Sequence, residues 1–214
     1  MTRSRILKPG EIYTFSKFFE LAFDPEDILA ELGCTLKRLP LDLVPFNEEL
    51  DYSPLKHRIE QSLTHVDLTS EAARREVVIA PILLELCNYT HAKLKIEYPI
   101  VANEQLKGTL DYYVQSKCGL LVVEAKQGDM TRGFTQLAVE LIALDQWTTL
   151  ETPILYGAVT TGDVWRFGWF CRAQKQIVQD IILYRVPTDL ENLLRILIGV
   201  LSPAHDSSIQ APIV

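Results

Sequence analysis

The 214-residue sequence lacks most of the features that would identify a chemistry at sight. It holds only 4 cysteines (Cys34, Cys87, Cys118 and Cys171), no two of them as a CxxC pair. That argues against a zinc site and a disulfide framework, and leaves free core thiols in a reducing compartment as the expectation. The histidines show no HExxH spacing, and GxSxG, GxxxxGK[ST] and GxGxxG are all missing, which counts against a zincin, a serine hydrolase, a P-loop NTPase and a Rossmann dehydrogenase. The longest apolar run is Val77–Leu84, far short of the roughly 20 residues of a membrane helix. The opening MTRSRILKPGEIY has no apolar stretch like that of a secretory signal. A cytoplasmic protein with no membrane partner is therefore expected, and the sequon Asn88-Tyr89-Thr90 carries no meaning there. Basic charge is also short: 21 Lys+Arg face 28 Asp+Glu, a net of −7. A protein that grips nucleic acid by its overall field is normally basic. Any such role here would need local basic groups or a metal ion.

What is present is a composition of 48% hydrophobic residues, enough for one large domain or one domain with an extension. Residues 1–66 read as a mainly helical N-terminal extension. Prolines break it repeatedly. A short helix is expected over Thr14–Ala22, with a Phe15/Phe18/Phe19 face. Asp24-Pro25 caps another, which Gly33 stops. Ser53-Pro54 opens a third, running to Leu63.

Residues 67–201 read as a separate unit, and residues 202–214 as a mobile tail. Thr69 or Ser70 caps a long helix that Pro81 should kink. Strands follow at Lys93–Ala102, where Pro99 suggests an edge or bulge, then Thr109–Gln115 and Leu120–Lys126. Phe134, Leu137, Leu141 and Leu144 recur at helical spacing within a helix near Thr131–Thr148. Ile154–Thr160 and Val164–Phe170 flank the turn Thr161-Gly162-Asp163. A strand at Ile177–Tyr184 and a helix at Leu190–Leu201 close the unit. The order defines an α/β fold with a mixed central sheet flanked by helices.

The most informative segment is Leu120-Leu121-Val122-Val123-Glu124-Ala125-Lys126. It is apolar on both faces, as in a central strand, and ends abruptly in charge. Glu124 and Lys126 leave the same face, with Cα atoms roughly 6.6 Å apart. If Ser116–Gly119 is a hairpin loop, Gln115 opposes Leu120 and Asp111 opposes Glu124. Two carboxylates facing each other on a core strand are a poor structural choice. They make sense around a divalent cation, and hard oxygen ligands that leave room for water and phosphate suit Mg²⁺, with Mn²⁺ as a substitute. Lys126 then stands ready to orient or deprotonate a water, or to stabilise phosphate charge. A one-residue slip would send Asp111 to the other face. The bland alternative is an exposed strand end with ordinary surface charges, since an isolated acid-x-Lys triplet carries no weight.

Gly108-Thr109-Leu110-Asp111-Tyr112-Tyr113, Leu121-Val122-Val123-Glu124-Ala125-Lys126 and Gln136-Leu137 together resemble the PD-(D/E)XK nuclease superfamily. The resemblance is nearest to the N-terminal nuclease domain of type I restriction enzyme motor subunits. Thr69–Arg75 with Val78–Leu83 is similar to that family's opening helix, and Tyr156–Phe167 to its later hairpin. About residues 67–170 are covered, and Leu110 replaces the proline of the family's name. The resemblance implies a restriction-endonuclease-like fold and a Mg²⁺-dependent endonuclease acting on DNA. It implies that Asp111, Glu124 and the Ala125 carbonyl hold the metal, that Lys126 acts on the attacking water, and that Gln136 lines the site. It implies an acid from the first helix: Glu71, or else Glu76, not both. Arg74 and Arg75 suit phosphate contact or a solvated helix face equally. Trp147, Trp165, Phe167 and Trp169 read as packing, and one of Tyr112 and Tyr113 as core.

Two other functions compete with the nuclease. One is a catalytically lapsed nucleic-acid-binding or scaffold module, which the net charge favours and the intact Asp111, Glu124, Lys126 and Gln136 set disfavours. The other is an assembly protein in which residues 1–66 dock a partner. A homodimer or a separate targeting subunit is expected as partner, and the sequence leaves DNA and RNA open.

Overall fold

The computed structural model describes residues 5–8, 10–117, 119–126 and 128–202. Cys118 and residues 203–214, most of the expected tail, lie outside these. The chain is built on one mixed eight-stranded sheet with helices on both faces. In the first half lie α1 (Phe15–Glu20), α2 (Pro25–Glu31), β1 (Thr35–Leu39), α3 (Ser53–Leu63) and α4 (Glu71–Arg74). A π-helical turn, Arg75–Ile79, leads into α5 (Ala80–Thr90). Then come β2 (Lys93–Asn103), β3 (Leu106–Gln115), β4 (Leu120–Ala125), α6 (Met130–Trp147), β5 (Ile154–Thr160), β6 (Val164–Cys171), β7 (Gln176–Asp180), β8 (Tyr184–Arg185) and α7 (Leu190–Leu201). The sheet order is β1-β7-β6-β5-β4-β3-β2, with β8 also paired to β6. β1–β7 and β4–β5 are parallel and the remaining pairs antiparallel. Among the described residues no helix is long and apolar enough to cross a membrane.

Strand parity sets the two cores. On β4, Leu120 and Val122 face the core that holds α1, α2 and α6. Leu121, Val123 and Ala125 face the one that holds α3, α5 and α7. A fully apolar strand results, as expected for a strand covered on both sides. β4 connects to its parallel neighbour β5 through α6, whose residues from Gly133 to Leu144 are all buried. α6 has no outward face because α1 and α2 pack on the side away from the sheet.

Segment 1–66 therefore does more than the expected helical extension. It contributes the strand β1, which the sequence reading did not find, and its side chains enter both cores. Thr35–Leu39 alternates weakly and is largely exposed, so its pattern carried no strand signal. β2 is an edge strand, as Pro99 suggested. Pro81 falls at the start of α5, and the helix widens into a π turn just before it. Proline has no N–H for the bond to residue 77, and the wider turn absorbs that loss. Tyr112 and Tyr113 are both buried, one in each core. Trp165, Phe167 and Trp169 are core residues. Of the described cysteines only Cys34 is fully buried, with Cys87 and Cys171 half-buried.

Candidate functional site

The β3–β4 hairpin has the expected register. Tyr112 faces Val123 and Gln115 faces Leu120 across the ladder. One step beyond the last pair, Asp111 Oδ2 accepts the Ala125 N–H at 2.9 Å. The ends of the two strands are thus tied by a carboxylate where a backbone pair would otherwise stand. Glu124 follows Leu120 and Val122 onto the α6 side and is 1% exposed. Lys126 shares that side, and its Nζ lies 2.6 Å from Glu124 Oε1.

α6 supplies the rest. Asp129 caps it, accepting the Thr131 and Arg132 amides at 3.0 Å each. Two turns inside, the Gln136 amide donates to Glu124 Oε1 at 2.7 Å and to Glu140 Oε1 at 2.9 Å. Glu140, 0% exposed, was missed by the sequence reading. Its signal was available: an acid in an apolar stretch of helix, four residues after Gln136 and so on the same line. The lysine is held from two more directions. Its ammonium stands 4.9 Å from the Phe19 ring centre. Its stem runs against Gly133, where a Cβ would lie 2.9 Å from Lys126 Cγ.

Acids outnumber bases in this cluster: Asp111, Glu124 and Glu140 face Lys126, with Arg75 at 4.0 Å on the outer side of Asp111. Burial and then repulsion from Asp111 push the Glu124 carboxyl up to about 8, against the pull of Lys126. Burial and Glu124 raise Glu140 well above the carboxylate range. Burial works against the Lys126 charge, but Glu124 and Asp111 outweigh it, so its pKa is raised. Glu124 Oε2, Gln136 Oε1 and Glu140 Oε2 are buried acceptors without a donor. Unpaired buried acceptors are costly and call for a proton, a water or a cation. Among the described residues no group of three or more His, Cys, Asp or Glu side chains is arranged to hold a metal. The acids that would hold a cation here are Asp111 and Glu124, hard oxygen ligands of the kind Mg²⁺ accepts.

The structure thus brings together Asp111, Glu124, Ala125, Lys126 and Gln136. Glu71 and Glu76 lie elsewhere, in an adjoining cleft of about 420 Å³. Helical spacing predicted that only one of the two could face inward. Both line the cleft, because the π turn Arg75–Ile79 changes the rotation between them. Arg75 stands between this cleft and the site, 3.7 Å from Glu71, 3.4 Å from Glu97 and 4.0 Å from Asp111. It also donates to the Tyr112 hydroxyl at 3.3 Å. Glu97, between the β2–β3 pairs Ile96–Tyr112 and Tyr98–Leu110, adopts φ +52, a left-handed conformation costly for a non-glycine residue. Nothing in the sequence marked it. Arg74 is neither free for phosphate nor solvated: it donates to Thr161 O at 2.6 Å and Asp163 Oδ1 at 3.0 Å, clamping the β5–β6 turn.

The fold and this cluster define the chain as an α/β protein with a buried carboxylate–lysine site at the end of a central strand. No family model, curated protein or solved structure matches it.

Proposed function

We propose that the chain is a Mg²⁺-dependent nuclease of the PD-(D/E)XK type, with a restriction-endonuclease-like arrangement, that hydrolyses phosphodiester bonds in DNA. The observation that carries this reading is the buried cluster of acids around Lys126: Glu124 paired to the lysine, and Asp111 bonded to the backbone N–H of the next residue, Ala125. Asp111 and Glu124 would hold the metal. When bound, Mg²⁺ supplies positive charge against the phosphate oxygens and lowers the pKa of a water. The ion pair with Glu124 favours the ammonium form of Lys126, which would place a donor against a phosphate oxygen or the attacking water. Gln136 fixes the Glu124 carboxyl through Oε1. Glu140 keeps the Gln136 amide from turning away.

The test is nicking of supercoiled plasmid by the purified chain with Mg²⁺ or Mn²⁺, abolished by EDTA and by Lys126→Ala. Absence of cleavage on plasmid, linear duplex, single-stranded DNA and RNA alike would sink the reading. The net charge of −7 supports a second reading, a lapsed nuclease that only binds or scaffolds. In that case calorimetry would find no Mn²⁺ site that depends on Asp111.

A further inference from the structure

The register of the sheet extends the site sideways. Glu124 on β4 stands opposite Val159 on β5, and Val159 stands opposite Arg166 on β6. Residues opposed across a ladder share a face, so these three form one row on the α6 side of the sheet. Trp165 and Phe167, on either side of Arg166, enter the other core, as alternation requires. Two strand spacings separate Glu124 from Arg166, roughly 9.5 Å between Cα atoms. Lys126 adjoins the same row. A Cβ on Gly133 would lie 2.9 Å from both Lys126 Cγ and Val159 Cγ2, so the lysine stem and the valine flank one spot on α6. β4 and β5 are parallel, and the row crosses both near their carboxyl ends. That is the edge at which open α/β sheets hold their ligands.

Arg166 has no task in the fold, unlike the arginines around it. Arg74 clamps the β5–β6 turn. Arg38 donates to Gln179 Oε1 at 3.2 Å and to Glu26 Oε1 at 2.6 Å. Arg132 Nε lies 3.5 Å from Asp129 Oδ2. Arg166 is half-buried and makes no side-chain hydrogen bond or ion pair among the described residues, and its Nε is buried without an acceptor. Burial lowers its pKa, and Asp180 opposes that only through space. Asp180 itself follows Val178 onto the opposite face and accepts the Leu41 and Ile182 amides. A half-buried guanidinium without an acceptor is unfavourable. An oxyanion answers it, because the planar fork matches two oxygens of one phosphate.

We propose that Arg166 binds a backbone phosphate flanking the one cut beside Lys126. The inference rests on the nuclease reading above and adds the track of the strand, which runs across the ends of β4 and β5 toward β6. With a net charge of −7 the chain has no general field for nucleic acid, and Arg166 is a local basic group of the kind such binding needs.

The experiment is fluorescence anisotropy of labelled duplex and single-stranded DNA with the full chain, at fixed Ca²⁺ in place of Mg²⁺ and over a range of KCl. Arg166→Gln should weaken binding about tenfold. It should also lower the slope of log affinity against log salt by about 0.9 on duplex, or about 0.7 on a single strand. In Mg²⁺, plasmid cleavage should show a raised KM with little change in kcat. The slope counts the phosphates contacted, so a merely structural role for Arg166 would leave it unmoved, and an unchanged slope overturns the proposal. Should Arg166→Gln fail to fold, Arg166→Lys decides. A point charge replaces the fork there, so affinity should fall several-fold with the slope kept, and unchanged affinity overturns the proposal. If plasmid cleavage persists while the slope is unchanged, the nuclease reading stands without Arg166. If wild type neither binds nor cleaves any strand, both fall together.

Discussion

The Lys126 ammonium lies over the ring of Phe19, 4.9 Å from its centre, although more than a hundred residues separate them in the chain. The ring face attracts the cation and blocks it from swinging away from Glu124. Such contacts contribute about 0.5–2 kcal/mol depending on solvation. Phe19→Leu keeps the apolar volume but removes the ring. Cleavage should fall several-fold, Lys126 should become more reactive toward an amine-labelling reagent read by mass spectrometry, and Phe19→Tyr should behave as wild type. Unchanged labelling of Lys126 in Phe19→Leu would show that the ring does not hold it.

Metal binding should depend on Asp111. Asp111→Asn retains an oxygen that can accept the Ala125 N–H, so the hairpin should hold while the charge is lost. Saturating Mn²⁺ at about a hundred times its dissociation constant should stabilise wild type by about 2.7 kcal/mol. The variant should show neither that stabilisation nor a binding isotherm. Equal Mn²⁺ binding in both would remove Asp111 from the metal site.

Metal-free stability should fall as pH rises. A carboxyl with a folded pKa near 8 and an ordinary value of 4.5 binds more protons folded than unfolded between those limits. Its contribution is therefore full below about pH 4.5 and lost as pH climbs to about 8, with a slope of up to about 1.4 kcal/mol per unit. Glu140 shifts in the same direction. Urea melts from pH 5 to 8 should show this loss, Glu124→Gln should flatten it, and saturating Mn²⁺ should oppose it. A stability that rises across this range would contradict the buried charge excess.

Gly133→Ala should harm the site more than the fold. The new Cβ would sit 2.9 Å from both Lys126 Cγ and Val159 Cγ2. Better helix propensity returns about 1 kcal/mol, against about 1–3 kcal/mol for overpacking. The net change in urea unfolding should stay within about 2 kcal/mol, while cleavage drops by more than that loss explains. Wild-type activity in this variant would mean that the lysine stem is free to shift.

Much of this arrangement was legible in the sequence because it rests on local rules. The apolar run of β4 and the loop Ser116–Gly119 fixed a register that puts Asp111 beside Glu124, and one residue of slip would have buried the other face. The caps Asp24 and Ser70 work as their side chains suggested. What was not legible depends on contacts distant in sequence. β1 is held by its partner β7 rather than by its own pattern. Glu97 meets Arg75 from a left-handed backbone that its own sequence does not announce. Glu140 was visible as an acid in an apolar helix, but its partner Glu124 comes from the sheet beneath.

A helix with no outward face also has a practical consequence. A fragment starting at residue 67 would bare the side of α6 that Phe15, Phe18, Ile28 and Leu29 now cover. It would lose the edge strand Thr35–Leu39 as well. Such a piece should be insoluble or proteolytically fragile.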